Sequence, residues 1–204
     1  GKNFLVYEEQ GLGDTLQYCR YLILLEDKGA NVTFKVTPKL HWILRTLSSE
    51  ISLIDALTDD TKIDFEAPLM SLPYLFGTTS ETVPAFSSYL HVDRDRVAQW
   101  RDRVSASKFK IGICWQGGKS IIDEGRSMHL SFFKDIANVP NVQLISLHKG
   151  EGEDQISGIN FSLTTFGDDF DNGADAFIDT AAVMMSCDLI ITSDTAIAHL
   201  GGAL

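Results

Sequence analysis

Two short stretches hold residues whose types and spacing could do chemistry. Gly11-Leu12-Gly13-Asp14 sets a carboxylate beside two glycines, just after the apolar run Phe4-Leu5-Val6-Tyr7. A carboxylate held there at the mouth of a cleft can serve as a general base. The same residue can equally be the N-cap of the helix that follows, which needs no function. Ser193-Asp194-Thr195-Ala196-Ile197-Ala198-His199 follows a second apolar run, Asp188 to Thr192. On a helix Thr195 and His199 share one face. Free amides, a hydroxyl and an imidazole at a helix N-terminus make a seat for a diphosphate. The plain alternative is that Asp194 only caps the helix and His199 is a packed surface histidine.

Other groups fall around these two. Lys149 lies just past the apolar run Val142 to Leu147, and Arg126 lies in the loop after Trp115. With His199 they gather positive groups at one edge of an acidic protein. Glu151, Glu153 and Asp154 could accept hydrogen bonds from sugar hydroxyls, or form a solvated loop. The Gly11 turn approaches the dinucleotide fingerprint G-x-G-x-x-G but has Leu16 at the third glycine position. Asp14 would also repel a phosphate there, so no phosphate cradle is expected at that turn. Asp168 to Gly173 has glycine at the sixth place of a calcium loop. However, Phe170 stands where the third position needs an oxygen and Asp179 where the twelfth needs a bidentate glutamate, so no calcium site is expected. The D-x-D pairs Asp93-Arg94-Asp95 and Asp169-Phe170-Asp171 carry little weight in an acidic chain. No local motif signals a Ser-His-Asp or Cys-His set, and no metal ligand set is expected.

These residues must be positioned by alternating strands and helices. The sequence predicts strands at Phe4–Tyr7, Asn31–Val36, Ile51–Ile54 and Ile63–Glu66, and helices at Thr15–Leu25 and Lys39–Leu47. Ser71 to Ala85 reads as loop with a short helix near Tyr74. Arg94 to Val104 reads as a helix, and the small polar run Ser105-Ala106-Ser107-Lys108 marks a domain boundary. The pattern then restarts: strand Lys110–Trp115, glycine turn Gln116-Gly117-Gly118-Lys119, helix Phe132–Ala137, strand Val142–Leu147, helix Ala176–Ser186, strand Asp188–Thr192, helix from Thr195. Such βα alternation predicts α/β domains with parallel sheets, divided as residues 1–104 and 105–204. The second domain looks incomplete. Ligands of such sheets lie beyond the carboxyl ends of the strands, where both chemical stretches fall.

The chain has 204 residues, 44% hydrophobic and 22% charged, with a net charge of −11. That balance fits a soluble globular protein and argues against a nucleic-acid backbone as partner. No run is long and apolar enough for a transmembrane segment, and no signal peptide is expected. Cys19, Cys114 and Cys187 sit in apolar surroundings without metal-ligand spacing, so buried reduced thiols in a cytoplasmic protein are expected.

Glu9-Gln10-Gly11-Leu12-Gly13-Asp14-Thr15-Leu16-Gln17-Tyr18-Cys19-Arg20-Tyr21 resembles the opening of heptosyltransferase-like glycosyltransferases of family nine. The bacterial subgroup that carries tetratricopeptide repeats before the transferase is the most similar. Ser71-Leu72-Pro73, Gly77-Thr78-Thr79, Cys114-Trp115, Ser146-Leu147-His148-Lys149-Gly150, Asp179-Thr180-Ala181-Ala182, Ser193-Asp194-Thr195 and His199-Leu200 fit in the same order, so the resemblance spans nearly the whole chain. It implies a GT-B fold, with two Rossmann-like domains facing a cleft. Asp14 would be the base that deprotonates the acceptor hydroxyl, with Gly11, Gly13 and Gln17 in an acceptor-side loop. Ser193, Asp194, Thr195 and His199 would hold the donor diphosphate. Arg126 and Lys149 would add cations, and Glu153 would meet the ribose. No cofactor or metal is implied, because cations and helix dipoles can stabilise a leaving diphosphate. The family's D-T-G is Asp194-Thr195-Ala196 here, which sets a methyl near the phosphate.

The expected activity is inverting transfer of a sugar from a nucleotide-diphosphate donor, ADP-heptose-like, to a hydroxyl acceptor that is saccharide, lipid-linked or protein, in the setting of cell-surface polysaccharide or lipopolysaccharide synthesis. The alternative is a non-catalytic sugar-nucleotide or carbohydrate-binding module derived from a transferase. A redox dinucleotide enzyme is disfavoured by Leu16 and by the lack of an acidic residue ending the second strand at Val36.

Overall fold

The computed structural model describes residues 1–104, 107–118 and 125–204. Ser105 and Ala106 of the expected boundary, and Lys119 of the second glycine turn, lie outside the described residues. The chain packs into two compact units. One comprises Gly1–His91, Gly173–Ile178 and Gly202–Leu204; the other comprises Val92–Asn172 and Asp179–Gly201.

The first unit opens with β1 (Asn3–Tyr7), α1 (Leu12–Tyr18), α2 (Arg20–Asp27) and β2 (Asn31–Lys35). It continues with α3 (His41–Leu44), β3 (Ser52–Ile54), β4 (Phe65–Pro68) and α4 (Leu72–Leu75). Among the described residues its sheet has four strands in the order β3-β2-β1-β4, all parallel. Leu5 of β1 lies between Thr33 and Glu66. Leu5 and Val6 are buried with Leu16, Leu22, Phe34, Leu40, Ile43 and Leu72. Full burial of such a side chain is worth roughly 1.5–3 kcal/mol, so this set organises the unit.

Two expectations are corrected here. The single helix Thr15–Leu25 is two helices with a turn at Cys19. The Leu16 carbonyl is taken by the Tyr89 hydroxyl and the Cys19 thiol, and the Gln17 carbonyl by Arg20 Nε, while Leu22 N–H reaches back only to Cys19 O. That tightened i→i−3 turn breaks the ladder. The fourth strand runs Phe65–Pro68, later than expected. Proline ends it without breaking the ladder because β4 is an edge strand.

The second unit holds α5 (Arg94–Arg101), β5 (Phe109–Cys114), α6 (Lys134–Ala137), β6 (Val142–Ser146), β7 (Leu189–Thr192) and most of α7 (Ile178–Met184) and α8 (Ala196–Ala203). Among the described residues its sheet is parallel, in the order β6-β5-β7. Ile111, Ile113, Trp115, Leu130, Phe133 and Leu144 form its core cluster. Gly112, at the centre of β5, leaves room for packed side chains. A Cβ there would meet Leu147 Cδ1 at 2.6 Å and Ile190 Cδ1 at 2.8 Å. No helix among the described residues is long and apolar enough to cross a membrane.

Candidate functional site

In the second unit, the carboxyl ends of β5, β6 and β7 release three loops that meet. The β5 loop begins Trp115-Gln116-Gly117. Trp115 is fully buried, and its Nε1–H donates to Gly152 O in the β6 loop at 3.1 Å. Its ring stacks on His148, with centroids 4.1 Å apart. Gln155 Nε2 donates to Gln116 Oε1 at 3.0 Å. Gly152 has φ +100°, and a Cβ there would meet Gln116 Oε1 at 2.7 Å, so this crossing of loops needs a glycine. A Cβ on Gly117 would come within 3.3 Å of Thr195 Cγ2 in the β7 loop.

His148 belongs to the framework of this edge. Its Nε2 faces Glu151 O at 2.7 Å, and a carbonyl only accepts, so Nε2 carries the proton. Nδ1 is then free to accept from the Cys114 thiol at 3.5 Å. Burial lowers the His148 pKa and raises that of Cys114, so a neutral imidazole faces a protonated thiol.

The predicted diphosphate seat is assembled at the head of α8. Thr195, not Asp194, caps the helix: its Oγ1 accepts from Ile197 N–H at 3.3 Å and lies 3.3 Å from Thr192 Oγ1. Asp194 is exposed instead, and its carboxylate faces Arg126 Nε at 3.4 Å, while Arg126 also donates to Asp194 O at 2.7 Å. Arg126 therefore answers the charge that Asp194 brings to the helix start. Ser193 is 4% exposed, and its buried hydroxyl has no hydrogen-bond partner among the described residues. His199 is the fourth residue of α8 and half-buried, and its imidazole makes no hydrogen bond to any described residue.

Lys149 and Glu153 belong to a separate group. They line a pocket of about 330 Å³ with Ser146, His148, Phe166, Asp168 and others. The Lys149 ammonium donates to Phe170 O, and to Asp171 O at 2.6 Å, so it is committed to the far wall of this pocket. Sequence reasoning missed that wall, Thr165 to Phe170: Thr165 to Gly167 carry no motif, and Asp168 to Phe170 suggest only the calcium and D-x-D patterns set aside above. His148 could have been found from its place directly after the apolar run that precedes Lys149.

In the first unit the Gly11 turn differs from expectation in register. Gly11 is the N-cap, so Asp14 is the third residue of α1 and not its cap; Asp14 Oδ2 instead accepts from Gly11 N–H at 3.1 Å. Gly13 and Gln17 lie within α1 and not in a loop, because the helix begins at Leu12. Asp14 is half-buried at the carboxyl end of β1, as the strand-turn-helix pattern required. A second pocket of about 320 Å³ lies at the same edge, lined by Tyr7, Glu8, Lys35, Val36, Thr37 and Asp55.

No protein-family model matches the sequence, and no curated protein matches it. Solved structures do match. A family 9 glycosyl transferase from Veillonella parvula DSM 2008 aligns with a TM-score of 0.72 at 12% identity, covering 99% of this chain and 78% of that one. ADP-heptose LPS heptosyltransferase II of E. coli aligns with a TM-score of 0.59 at 11% identity, covering 98% of this chain and 82% of that one. The dodecameric iron-containing heptosyltransferase TibC, in complex with ADP-D-beta-D-heptose, aligns with a TM-score of 0.63 at 10% identity, covering 99% of this chain and 56% of that one. At such identities the likeness is one of fold: this chain has the GT-B-type fold of the family-nine, heptosyltransferase-like glycosyltransferases.

Proposed function

We propose that the protein is a glycosyltransferase that moves a sugar, with inversion, from a nucleotide-diphosphate donor to a hydroxyl acceptor, and that it works in the cytoplasm. The donor is ADP-heptose-like, the kind that fold neighbours bind by the names of their structures. The acceptor is a saccharide, lipid-linked or protein hydroxyl. Asp14 takes the acceptor proton as the hydroxyl oxygen bonds to the anomeric carbon. The bond from that carbon to the diphosphate oxygen breaks, and the nucleoside diphosphate leaves with the electron pair. Arg126, the Thr195 hydroxyl and the α8 amides carry its charge. Lys149 and Glu153 line the pocket that takes the nucleoside.

The observation that carries this reading is the head of α8. A buried hydroxyl without a described partner, a threonine cap and an arginine stand together at the carboxyl edge of a parallel sheet. Calorimetric titration with ADP, UDP and GDP tests it. At least one should bind, and Arg126→Ala should weaken it about 10-fold, as loss of one charge-assisted contact would. Absence of binding by all three, or indifference to Arg126→Ala, would overturn it.

A further inference from the structure

Asp179 stands outside every group described so far, yet it is 1% exposed and carries four polar contacts. Its Oδ1 accepts from Arg96 Nε and from Trp100 Nε1, each at 2.6 Å, so it anchors one turn of α5. Its Oδ2 accepts from Asp171 N–H at 2.8 Å, and its own N–H donates to Asp171 Oδ1 at 2.6 Å. Asp171, at φ 44°, binds the Thr180 amide and hydroxyl with Oδ2. Two aspartates thus lock the residue after Phe170 to the start of α7.

That lock closes one end of the pocket wall. The other end is held where Thr164 pairs with β6: Thr164 N–H donates to Leu144 O, and Ser146 N–H to Thr164 O. Between these two clamps Thr165 to Phe170 has no helix or strand of its own. Trp100 packs on it, its ring meeting Phe166 at 5.0 Å and Phe170 at 5.2 Å edge-on, and Arg103 pairs with Asp169 at 2.7 Å. Trp100 and Asp171 are both held by the Asp179 carboxylate. We propose that Asp179 is a positioning residue for nucleoside recognition: it holds the wall Thr165 to Phe170 in the shape that accepts the nucleoside, and does not touch the diphosphate. This rests on the assignment of the pocket to the donor nucleoside.

Asp179→Asn tests it selectively. The amide oxygen can stay with Arg96 and Trp100 as a neutral acceptor, while the new NH₂ opposes the Asp171 N–H and releases the wall. ADP should then bind about 10-fold more weakly, whereas pyrophosphate, which lacks the nucleoside, should bind within about 2-fold of the wild-type value. Amide hydrogen exchange should rise over Thr165 to Phe170 and stay unchanged in β5 and β6. Trp100→Phe, which keeps a smaller aromatic ring and removes the Nε1–H donor, should give a smaller loss in the same direction and covers the case in which the asparagine variant does not fold. Equal weakening of ADP and pyrophosphate, or unchanged ADP binding in both variants, overturns this inference alone. Failure of the wild-type protein to bind any nucleoside diphosphate overturns the functional reading and this inference together.

Discussion

Asp14→Asn separates a base from a structural carboxylate. In the wild-type protein Asp14 Oδ2 accepts the Gly11 amide at 3.1 Å, one turn into α1. Asparagine keeps an acceptor oxygen in the same place, so that bond survives. What is lost in stability is a negative charge in the first helical turn, worth about 0.3–1 kcal/mol. Asp14→Ala removes the charge and the bond, adding about 0.5–1.5 kcal/mol. Transfer behaves differently. Neither variant can take a proton from the acceptor hydroxyl, and loss of a general base costs about 10²–10⁴ in rate. The two variants should therefore be equally inactive and unequally stable. Urea midpoints give the stability, and incorporation of labelled sugar from the nucleotide donor into an acceptor fraction of the source cells gives the rate. ADP affinity, which we propose to lie with the second unit, should be unchanged in both. Transfer by Asp14→Asn at the wild-type rate would refute the reasoning and assign the acceptor proton to another group. If the rate fell in step with the urea midpoint, the carboxylate would be structural only.

Two further outcomes follow from buried groups in the second unit. Burial lowers the His148 pKa in the folded protein from its ordinary 6.5, so between the two values the unfolded chain binds more protons. Stability should be complete above pH 6.5 and fall as the pH drops from there towards the lowered value; urea midpoints measured from about pH 8 down to 5 should show the slope, and His148→Gln should remove it. Ser193→Ala deletes a buried hydroxyl that has no partner among the described residues, so the free protein should melt unchanged or slightly higher, while ADP binding weakens about 10-fold if the hydroxyl serves the diphosphate.

The parts of this protein that were legible in its sequence share a cause. Strands β1, β5, β6 and β7 are short apolar runs and β2 an alternating one, bounded by turn residues, and their parallel pairing follows from βα alternation. Asp14 and Thr195 were placed at sheet edges because a strand-turn-helix pattern fixes where the turn must lie. Errors began where a choice depended on one hydrogen bond. Asp14 and Asp194 both sit beside a helix start and both suit a cap, but Gly11 and Thr195 hold those places. Propensity ranks the residue types without deciding the register. The Cys19 break was invisible for the same reason, since Tyr89, far along the chain, takes a carbonyl of α1.

A deeper limit applies to charge. The objection that Asp194 would repel a diphosphate treats the residue as alone, because sequence shows only its neighbours in the chain. Arg126 answers that charge from 68 positions away. Asp179 is the stronger case. Its neighbours Ile178, Thr180 and Ala181 make it look like the first turn of an ordinary helix, where a carboxylate is common. Its actual partners, Arg96 and Trp100, lie 83 and 79 positions earlier. A buried carboxylate is costly unless it is paired and fully hydrogen-bonded. A chain that buries one must therefore bring donors from elsewhere to meet it, and the segments so joined become a fixed frame. In this unit the frame is α5, α7 and the wall Thr165 to Phe170, and the wall borders the pocket that Lys149 and Glu153 line.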